Sequence, residues 1–380
     1  MGYVHRLSGV LSMSLCAALG CGARTADTAP PSAEASSTEA ARGTRAARLA
    51  TILDELTHPP FGTGAALTVS IGSETETIVR GTLRRGGREV EDETPFNVAS
   101  VSKLVTGAMV LSLVNEGRVD LDAPLSTYLP GVTLLPPDGD TPVEVTVRQL
   151  LAHRAGLPHH PPNFDPRDFG SEWTDPRLLS RMATAMSVRL VDEPGAYHYS
   201  NLGYALLAAI LERVTEQSFQ DVSREHLNRL GMRGATYWGP EVEERGAHGR
   251  VGEGESEQFN PPSWYGSRYA LPFTGLWSSM PELHHFGRAL VEAHHSPDAT
   301  LHPMAGPIES DAEALGAVRR SRLGAPSIEH DGSGPGFLAW VIAIPERDVV
   351  LAVACNGGGE SAAQGRRFFE ITESLLDALR

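Results

Sequence analysis

Strand-like segments at both ends of the chain constrain its fold more than any other feature. Residues 65–71 and 76–80 have the composition of two short strands joined by a tight turn, which is typical of a hairpin. Three more strand-like segments follow close to the other end of the chain, at 327–330, 337–344 and 349–354. We expect the two groups to pair into one antiparallel sheet.

Helical periodicity surrounds these strands. Residues 46–56 and 366–379 have helical spacing, and the region from about 120 to 300 is helical with long proline-rich loops. We expect the two terminal helices to cover one face of the sheet and the middle region to cover the other. The predicted fold class is therefore α+β: an antiparallel sheet flanked by helices, with an inserted all-helical region.

The composition is that of an ordinary globular protein. The chain has 380 residues, of which 41% are hydrophobic and 21% are charged, so it can bury a sizeable core. A formal net charge of -15 argues against nucleic acid or an anionic membrane surface as a partner, because both are negatively charged. Of the three cysteines, Cys355 alone lies in the expected folded part, so we expect no disulfide there. We expect a monomer.

The N-terminus reads as a targeting segment followed by a tether. Residues 1–21 contain a short apolar stretch and end at Cys21, and they resemble a bacterial lipoprotein signal in which that cysteine is lipidated. An ordinary secretory signal cleaved nearby is the alternative. Residues 22–43 have almost no large apolar side chains, so we predict a flexible linker ahead of a folded domain at 44–380. The protein is thus expected to be exported to the periplasm, and its contact with the membrane to be through this anchor.

Ser100 and Lys103 form an S-x-x-K pattern ahead of the apolar run 104–111. If Ser100 opens a helix, Lys103 lies on the same face one turn later, beside the serine hydroxyl. A serine hydroxyl needs a nearby base, which lysine can supply when burial lowers its pKa from about 10.4. The pattern alone is common on solvated helices, so the pair needs further support.

Two further patterns can bring polar groups to the same place. Tyr199 and Asn201 form Y-x-N on a loop, so a phenol and an amide can face one cavity. A neighbouring positive charge would lower the pKa of the phenol and let it shuttle protons. His330 and Gly332 form H-x-G at a strand edge, where glycine permits close backbone approach. Each pattern alone also fits an ordinary loop or a glycine-rich turn.

Together the three patterns resemble the signature of the serine beta-lactamase-like hydrolases. The resemblance is to the class C beta-lactamase branch, which includes DD-peptidases, D-aminopeptidases and esterases. It extends over roughly residues 45–380, with supporting segments at 147–158, 194–204 and 275–279. The resemblance implies the beta-lactamase/transpeptidase-like fold and a serine hydrolase that uses no cofactor.

The resemblance also implies a role for each matched residue. Ser100 is expected to accept the acyl group, Lys103 to assist its deprotonation, and Tyr199 to act as the base for acylation and then protonate the leaving group. Asn201 is expected to position the substrate amide and Lys103. The backbone N–H groups of Ser100 and Ser333, the residue after the H-x-G glycine, are expected to form the oxyanion hole.

The substrate expectation depends on the third motif. His330, two residues before Gly332, stands where lactamases usually have a lysine that holds a substrate carboxylate. A histidine is mostly neutral at pH 7, because its ordinary pKa is about 6.5. We therefore favour an esterase or a D-amino-acid-type peptidase over a lactamase, unless an arginine such as Arg268 supplies the charge. Arg154 also departs from the family, which usually has threonine there.

Two alternatives remain open on the same motifs. One is a penicillin-binding or sensor lipoprotein that is acylated without efficient turnover, and the other is a true class C beta-lactamase. In each case the partner is a small ester, amide or lactam, or a peptidoglycan peptide. Histidine pairs at 159–160, 284–285 and 294–295 suggest zinc, but none has ligand spacing, so we predict no metal site and interpret them as surface histidines.

Overall fold

The computed structural model describes residues 33–161, 177–252, 254–307 and 314–380. Helices lie at α1 Ala33–Asp54, α2 Ser102–Asn115, α3 Val147–Leu151, α4 Leu178–Met182, α5 Asn201–Thr215, α6 Phe219–Arg229, α7 Leu271–Thr274, α8 Met280–His294, α9 His302–Ala305 and α10 Ala362–Asp377. Strands lie at β1 Gly64–Ile71, β2 Glu74–Gly81, β3 Phe96–Asn97, β4 Val132–Leu135, β5 Met186–Arg189, β6 Gly249–Val251, β7 Gln258–Asn260, β8 Trp277–Ser278, β9 Val318–Arg322, β10 Ala325–Gly334, β11 Phe337–Ile344 and β12 Val349–Cys355.

One antiparallel sheet joins the two ends of the chain, as the sequence predicts. Its strand order is β2-β1-β12-β11-β10-β9. β1 lies beside β12, in a register that pairs Ala65 with Cys355 and Ile71 with Val349. The edge strand β9 was not predicted from the sequence, because three of its five residues are arginines and it lacks an apolar alternation. This strand extends the sheet beyond the H-x-G strand β10.

The two faces of the sheet carry separate hydrophobic cores. One core joins α1 and α10 to the sheet through residues such as Leu53, Leu375 and Leu351. The other contains the buried faces of α2, α5 and α8 and sheet residues such as Val341 and Ala352. The terminal helices therefore cover one face and the middle region covers the other, which confirms the predicted arrangement.

The middle region is less purely helical than predicted. It also contains the parallel pair β4–β5 and the antiparallel pair β6–β7, each with strands of three or four residues. Such short strands give no detectable period-two pattern in the sequence. The prediction of an all-helical insertion over 120–300 is therefore wrong in detail, although helices dominate its core.

A helix lies within part of the predicted linker. The predicted linker at 22–43 overlaps α1, which begins at Ala33. Alanine, arginine and glutamate favour helix without supplying a hydrophobic core, so a segment without large apolar residues can still be helical. The proposed signal at 1–21, including Cys21, and residues 22–32 lie outside the described residues. Within the described ranges, no helix is long and apolar enough to cross a membrane.

Candidate active site

Ser100 lies in a single 3-10 turn, Ala99–Val101, that leads directly into α2. Ala99 has a φ of 45°, an unfavourable conformation for a residue with a Cβ. Two side chains fix this turn: Asn97 Oδ1 accepts from the Ala99 N–H at 3.0 Å, and the Ser102 hydroxyl donates to the Ala99 carbonyl at 2.6 Å. The surrounding structure therefore holds Ser100 in a strained turn at the start of a helix.

Lys103 lies beside Ser100, as the three-residue spacing predicts. Its side chain is fully buried, and Nζ donates to Ser100 Oγ and to the Phe273 carbonyl oxygen, both at 3.1 Å. Burial holds the pKa of Lys103 well below its ordinary value, and the nearby charge of Asp331 opposes this only in part. A lysine with such a pKa can lose its proton and act as a base.

Tyr199 reaches the same place from the loop before α5. Lys103 Nζ lies 4.8 Å from the centroid of the Tyr199 ring. Burial raises the pKa of Tyr199 well above its ordinary value, and a hydrogen bond with Ser100 opposes that shift. The expectation that a cation lowers the pKa of this phenol is therefore wrong, because desolvation dominates. The phenol is protonated at neutral pH.

His153 supports Tyr199, although no role was predicted for it beyond its place in a matching segment. Its ring centroid lies 4.4 Å from that of Tyr199, and its Nδ1 accepts from the Ser200 N–H at 3.1 Å. His153 has a φ of 56°, and its backbone carbonyl accepts from the His198 N–H at 2.8 Å. The strained segment after α3 thus fixes the Tyr199 loop.

Asn201 is the first residue of α5 and is almost fully buried. Its amide Nδ2 lies 3.1 Å from His159 Nε2 and 3.3 Å from His160 Nε2. Lys103 Nζ donates its hydrogen bonds to Ser100 Oγ and to the Phe273 carbonyl oxygen. The expected hydrogen bond between Asn201 and Lys103 is not found among the described residues. The interpretation of residues 159 and 160 as surface histidines is correct for the exposed His159 and incomplete for the half-buried His160, and both rings contact this amide.

His330 lies on β10, buried at the edge of the site. Its Nδ1 donates to the Asp331 carbonyl oxygen at 2.6 Å. Burial, aided by the nearby Lys103, lowers the pKa of His330 to about 4, although Asp331 opposes the shift. His330 is therefore neutral at pH 7, and it supplies no positive charge for a carboxylate.

Gly332 brings the backbone of β10 against the turn that carries Ser100. A Cβ at this position would lie 2.1 Å from the Val98 carbonyl oxygen and 3.2 Å from the Ser100 nitrogen. A side chain would therefore clash with the turn, and glycine permits the contact. Ser333, the next residue, pairs with Leu338 in the ladder with β11. The H-x-G strand is thus adjacent to the Ser100 backbone N–H.

A cavity of about 270 Å3 opens beside these residues. Tyr199, His153 and His330 line it together with Arg154 and Arg319. Neither guanidinium has a carboxylate partner among the described residues. Arg154 donates to the Gly195 carbonyl, and Arg319 donates to backbone carbonyls that include Gly306. The cavity therefore carries positive charge from two arginines.

Arg268, which the sequence suggested as a replacement for the missing lysine, lies elsewhere. Its guanidinium donates to Gln220 Oε1 at 2.6 Å and stacks over the Trp238 ring at 5.1 Å. The spacing along the sequence could not place Arg154 and Arg319 in the cavity, because they come from distant segments. Within the described ranges, no group of His, Cys, Asp and Glu side chains is arranged to hold a metal ion.

Comparison with known proteins gives consistent matches. Residues 59–373 match the family model described as Beta-lactamase. Penicillin-binding protein 4 of Amycolatopsis lactamdurans is 27% identical over 318 residues, covering 78% of this chain and 81% of that protein. Esterase EstB of Burkholderia gladioli is 32% identical over 148 residues, covering 35% and 36% of the two chains. The structure of the D-amino acid amidase from Ochrobactrum anthropi SV3 has a TM-score of 0.70 at 20% identity, covering 88% of this chain and 99% of the amidase.

Proposed function

Because the chain belongs to the beta-lactamase family, we propose that it is a serine hydrolase that forms an acyl-enzyme at Ser100 with ester or amide substrates. The observation that carries this proposal is the 3.1 Å contact between Lys103 Nζ and Ser100 Oγ at a fully buried lysine. Burial favours the neutral amine, and a neutral amine at this distance can accept the serine proton.

The proposed reaction has two steps. Lys103 takes the proton of Ser100 as the hydroxyl attacks the scissile carbonyl, and the protonated Tyr199 relays a proton to the leaving group. The backbone N–H groups of Ser100 and Ser333 stabilise the oxyanion, for which the close packing of Gly332 against the Ser100 turn provides support. Water then attacks the acyl-enzyme by the reverse proton route.

An ester or amide is the favoured substrate, ahead of a lactam. His330 is buried and neutral, so the third motif does not supply the cation that lysine provides in lactamases. An esterase and a D-amino acid amidase are among the proteins that this chain is similar to. We expect nitrophenyl esters to be hydrolysed faster than nitrocefin, and efficient nitrocefin turnover with negligible esterase activity would contradict this preference.

A second candidate function is a penicillin-binding protein that is acylated but turns over slowly. Its support is the similarity to Penicillin-binding protein 4, which covers most of both chains. The two functions differ in deacylation, so the lifetime of a fluorescent-penicillin adduct separates them. A stable adduct without product release favours the second candidate.

The test of the proposed function uses the full chain and a fluorophosphonate probe, with intact-mass detection. The wild-type protein should gain the mass of one probe less HF, because fluoride leaves as the serine oxygen bonds to phosphorus. The Ser100→Ala variant should gain no mass and lose at least about 10⁴-fold in kcat/KM on esters. Hydrolysis that survives in Ser100→Ala would contradict an acyl-enzyme at this residue. We also propose that the protein is exported, that Cys21 is lipidated and that the chain is monomeric. Cell fractionation of the Cys21→Ser variant tests the lipidation, because a protein without the lipid anchor should leave the membrane fraction.

A further inference from the structure

The short helix α7 ends against the segment that carries Ser100, and its last carbonyl groups bond to side chains of that segment. Three successive carbonyls each accept from one side chain: Pro272 from Thr106 Oγ1 at 2.7 Å, Phe273 from Lys103 Nζ at 3.1 Å, and Thr274 from Asn97 Nδ2 at 3.0 Å. The acceptor that holds the lysine amine is therefore one of a fixed set at the end of α7.

The backbone N–H groups that would continue α7 bond elsewhere. In a longer helix the first two of these carbonyls would accept from the N–H groups of Leu276 and Trp277, four residues later. Those N–H groups instead donate to Ser102 Oγ at 2.9 Å and to the Thr236 carbonyl at 2.7 Å. Buried carbonyls at a helix end need another donor. The two carbonyls therefore depend on the two side chains of α2.

Tyr237 joins this group of hydrogen bonds from a third segment. Its hydroxyl donates to the Ser102 carbonyl at 2.9 Å and lies 3.0 Å from Thr106 Oγ1. Both side chains are buried, and the Tyr237 ring packs edge to face against Phe219 at 5.0 Å. Burial raises the pKa of Tyr237 above its ordinary value, so its hydroxyl keeps the hydrogen at neutral pH.

The two hydroxyls have one hydrogen each, and both hydrogens are needed. Carbonyl oxygens can only accept, so the Ser102 carbonyl takes the hydrogen of Tyr237 and the Pro272 carbonyl takes that of Thr106. Loss of either hydroxyl leaves one of these carbonyls without its side-chain donor, which costs free energy in a buried site. The pair of hydroxyls therefore bridges the first turn of α2 to the end of α7.

This bridge lies next to the lysine amine. Lys103 and Thr106 are three residues apart on α2, so their side chains share one face and reach adjacent carbonyls of α7. The hydrogen bond of Thr106 fixes the Pro272 carbonyl, and the next carbonyl along the chain is then held toward Lys103. At this position Nζ lies 3.1 Å from Ser100 Oγ. A shift at the end of α7 would therefore move the acceptor that directs the amine.

We propose that Thr106 and Tyr237 are positioning residues, which hold the α7 carbonyl that directs the Lys103 amine toward the serine hydroxyl. This inference deepens the proposed function and rests on it, because it requires Lys103 to be the base. A carbonyl accepts more strongly from an ammonium than from a neutral amine. A displaced carbonyl should therefore lower the pKa of Lys103 further and also leave the amine less well directed at Ser100.

The Thr106→Val variant of the full chain tests the proposal, because it removes the hydroxyl and keeps the branched shape. We expect kcat/KM for nitrophenyl acetate to fall by about tenfold or more. The ascending limb of its pH profile should move to lower pH by about 0.5 unit or more. Thr106→Ser keeps the hydroxyl and should restore both the rate and the position of the limb. Tyr237→Phe should move the limb in the same direction by a smaller amount, since Thr106 still donates to Pro272.

Thr372→Val is the matched control. Thr372 is also fully buried, and its hydroxyl donates to the Phe368 carbonyl at 2.9 Å, but it lies on α10 at the opposite face of the sheet. This variant should lower the melting temperature and leave the limb of the pH profile in its wild-type position. The position of the limb does not depend on the fraction of folded molecules, so it separates positioning from stability.

A limb that stays in its wild-type position in Thr106→Val would overturn the inference, because the hydroxyl would then only stabilise the fold. A limb that moves to higher pH would overturn it as well. If Thr106→Val does not fold, the same two outcomes in Tyr237→Phe decide. Failure of the proposed function gives a different result, since Ser100 of the wild-type protein would then not be labelled by the fluorophosphonate. Labelling at Ser100 with an unmoved limb contradicts this inference alone.

Discussion

At the scale of single residues, the chemistry of the proposed site depends on the protonation state of Lys103. Burial lowers the pKa of this amine, so it loses its proton at a lower pH than an ordinary lysine does. In the proposed mechanism the neutral amine is the active form, so kcat/KM should rise with pH through the lowered pKa of Lys103. Below that pKa the protonated amine cannot accept the serine proton.

The Lys103→Arg variant tests this protonation argument. Arginine keeps the positive charge but does not deprotonate, so we expect a loss on the order of 10³-fold in kcat/KM, with no recovery at higher pH. The measurement is a pH profile of ester hydrolysis for the two proteins. A variant with the wild-type profile would show that Lys103 acts as a fixed cation and not as a base.

The positive charge of the cavity is a second property of single residues. His330 is neutral, so any turnover of a carboxylate-bearing substrate should depend on Arg154 and Arg319. Arg319→Met and Arg154→Met should each lower kcat/KM for nitrocefin by about tenfold or more and leave nitrophenyl acetate little changed. Arg268→Met is the control, because Arg268 contacts Gln220 and Trp238. An equal effect of all three substitutions would contradict this assignment.

At the scale of elements, the site is built where β10 abuts the turn that carries Ser100. Gly332→Ala would place a methyl group 2.1 Å from the Val98 carbonyl oxygen, so β10 or the turn must move. We expect a lower melting temperature and a loss of fluorophosphonate labelling. In Gly334→Ala, the methyl would lie 3.3 Å from the Ala99 Cβ, a contact that a small shift relieves. Equal labelling of the two variants would contradict the importance of this contact.

Elements with a strong period were predictable from the sequence, and contacts between distant elements were not. The strands β1, β2, β11 and β12 and the helix α10 follow from their apolar patterns and turn residues. The pairing of Ser100 with Lys103 follows from helical spacing alone. The contact of His160 with Asn201 joins residues 41 positions apart, and no local pattern encodes it. Desolvation of Tyr199 likewise depends on the packed environment, so the predicted direction of its pKa shift was wrong.

At the scale of the whole molecule, the proposed active site and the two terminal helices lie on opposite faces of the sheet. Ser100, Lys103 and Asn201 belong to elements of the core on one face, whereas α1 and α10 cover the opposite face. The strands β1 and β12 are far apart in the sequence, and their pairing joins the two groups of strands into one sheet. Substitutions in α1 should therefore change the stability of the sheet without changing the acylation chemistry.

Leu53→Ala is the sharpest test of this separation. Leu53 is fully buried between α1 and the sheet, so its truncation should lower the free energy of unfolding by about 2–5 kcal/mol. Thr51 is an exposed residue on the same helix, and Thr51→Ala should change the free energy of unfolding by less than about 0.5 kcal/mol.

Urea unfolding measures the free energy of unfolding, and kcat/KM per folded molecule measures the catalytic activity. Because the proposed catalytic groups lie across the sheet, we expect kcat/KM to stay within about twofold of the wild type while the folded state persists. A selective loss of kcat/KM at full folding would show instead that α1 is coupled to the Ser100 turn through the strands.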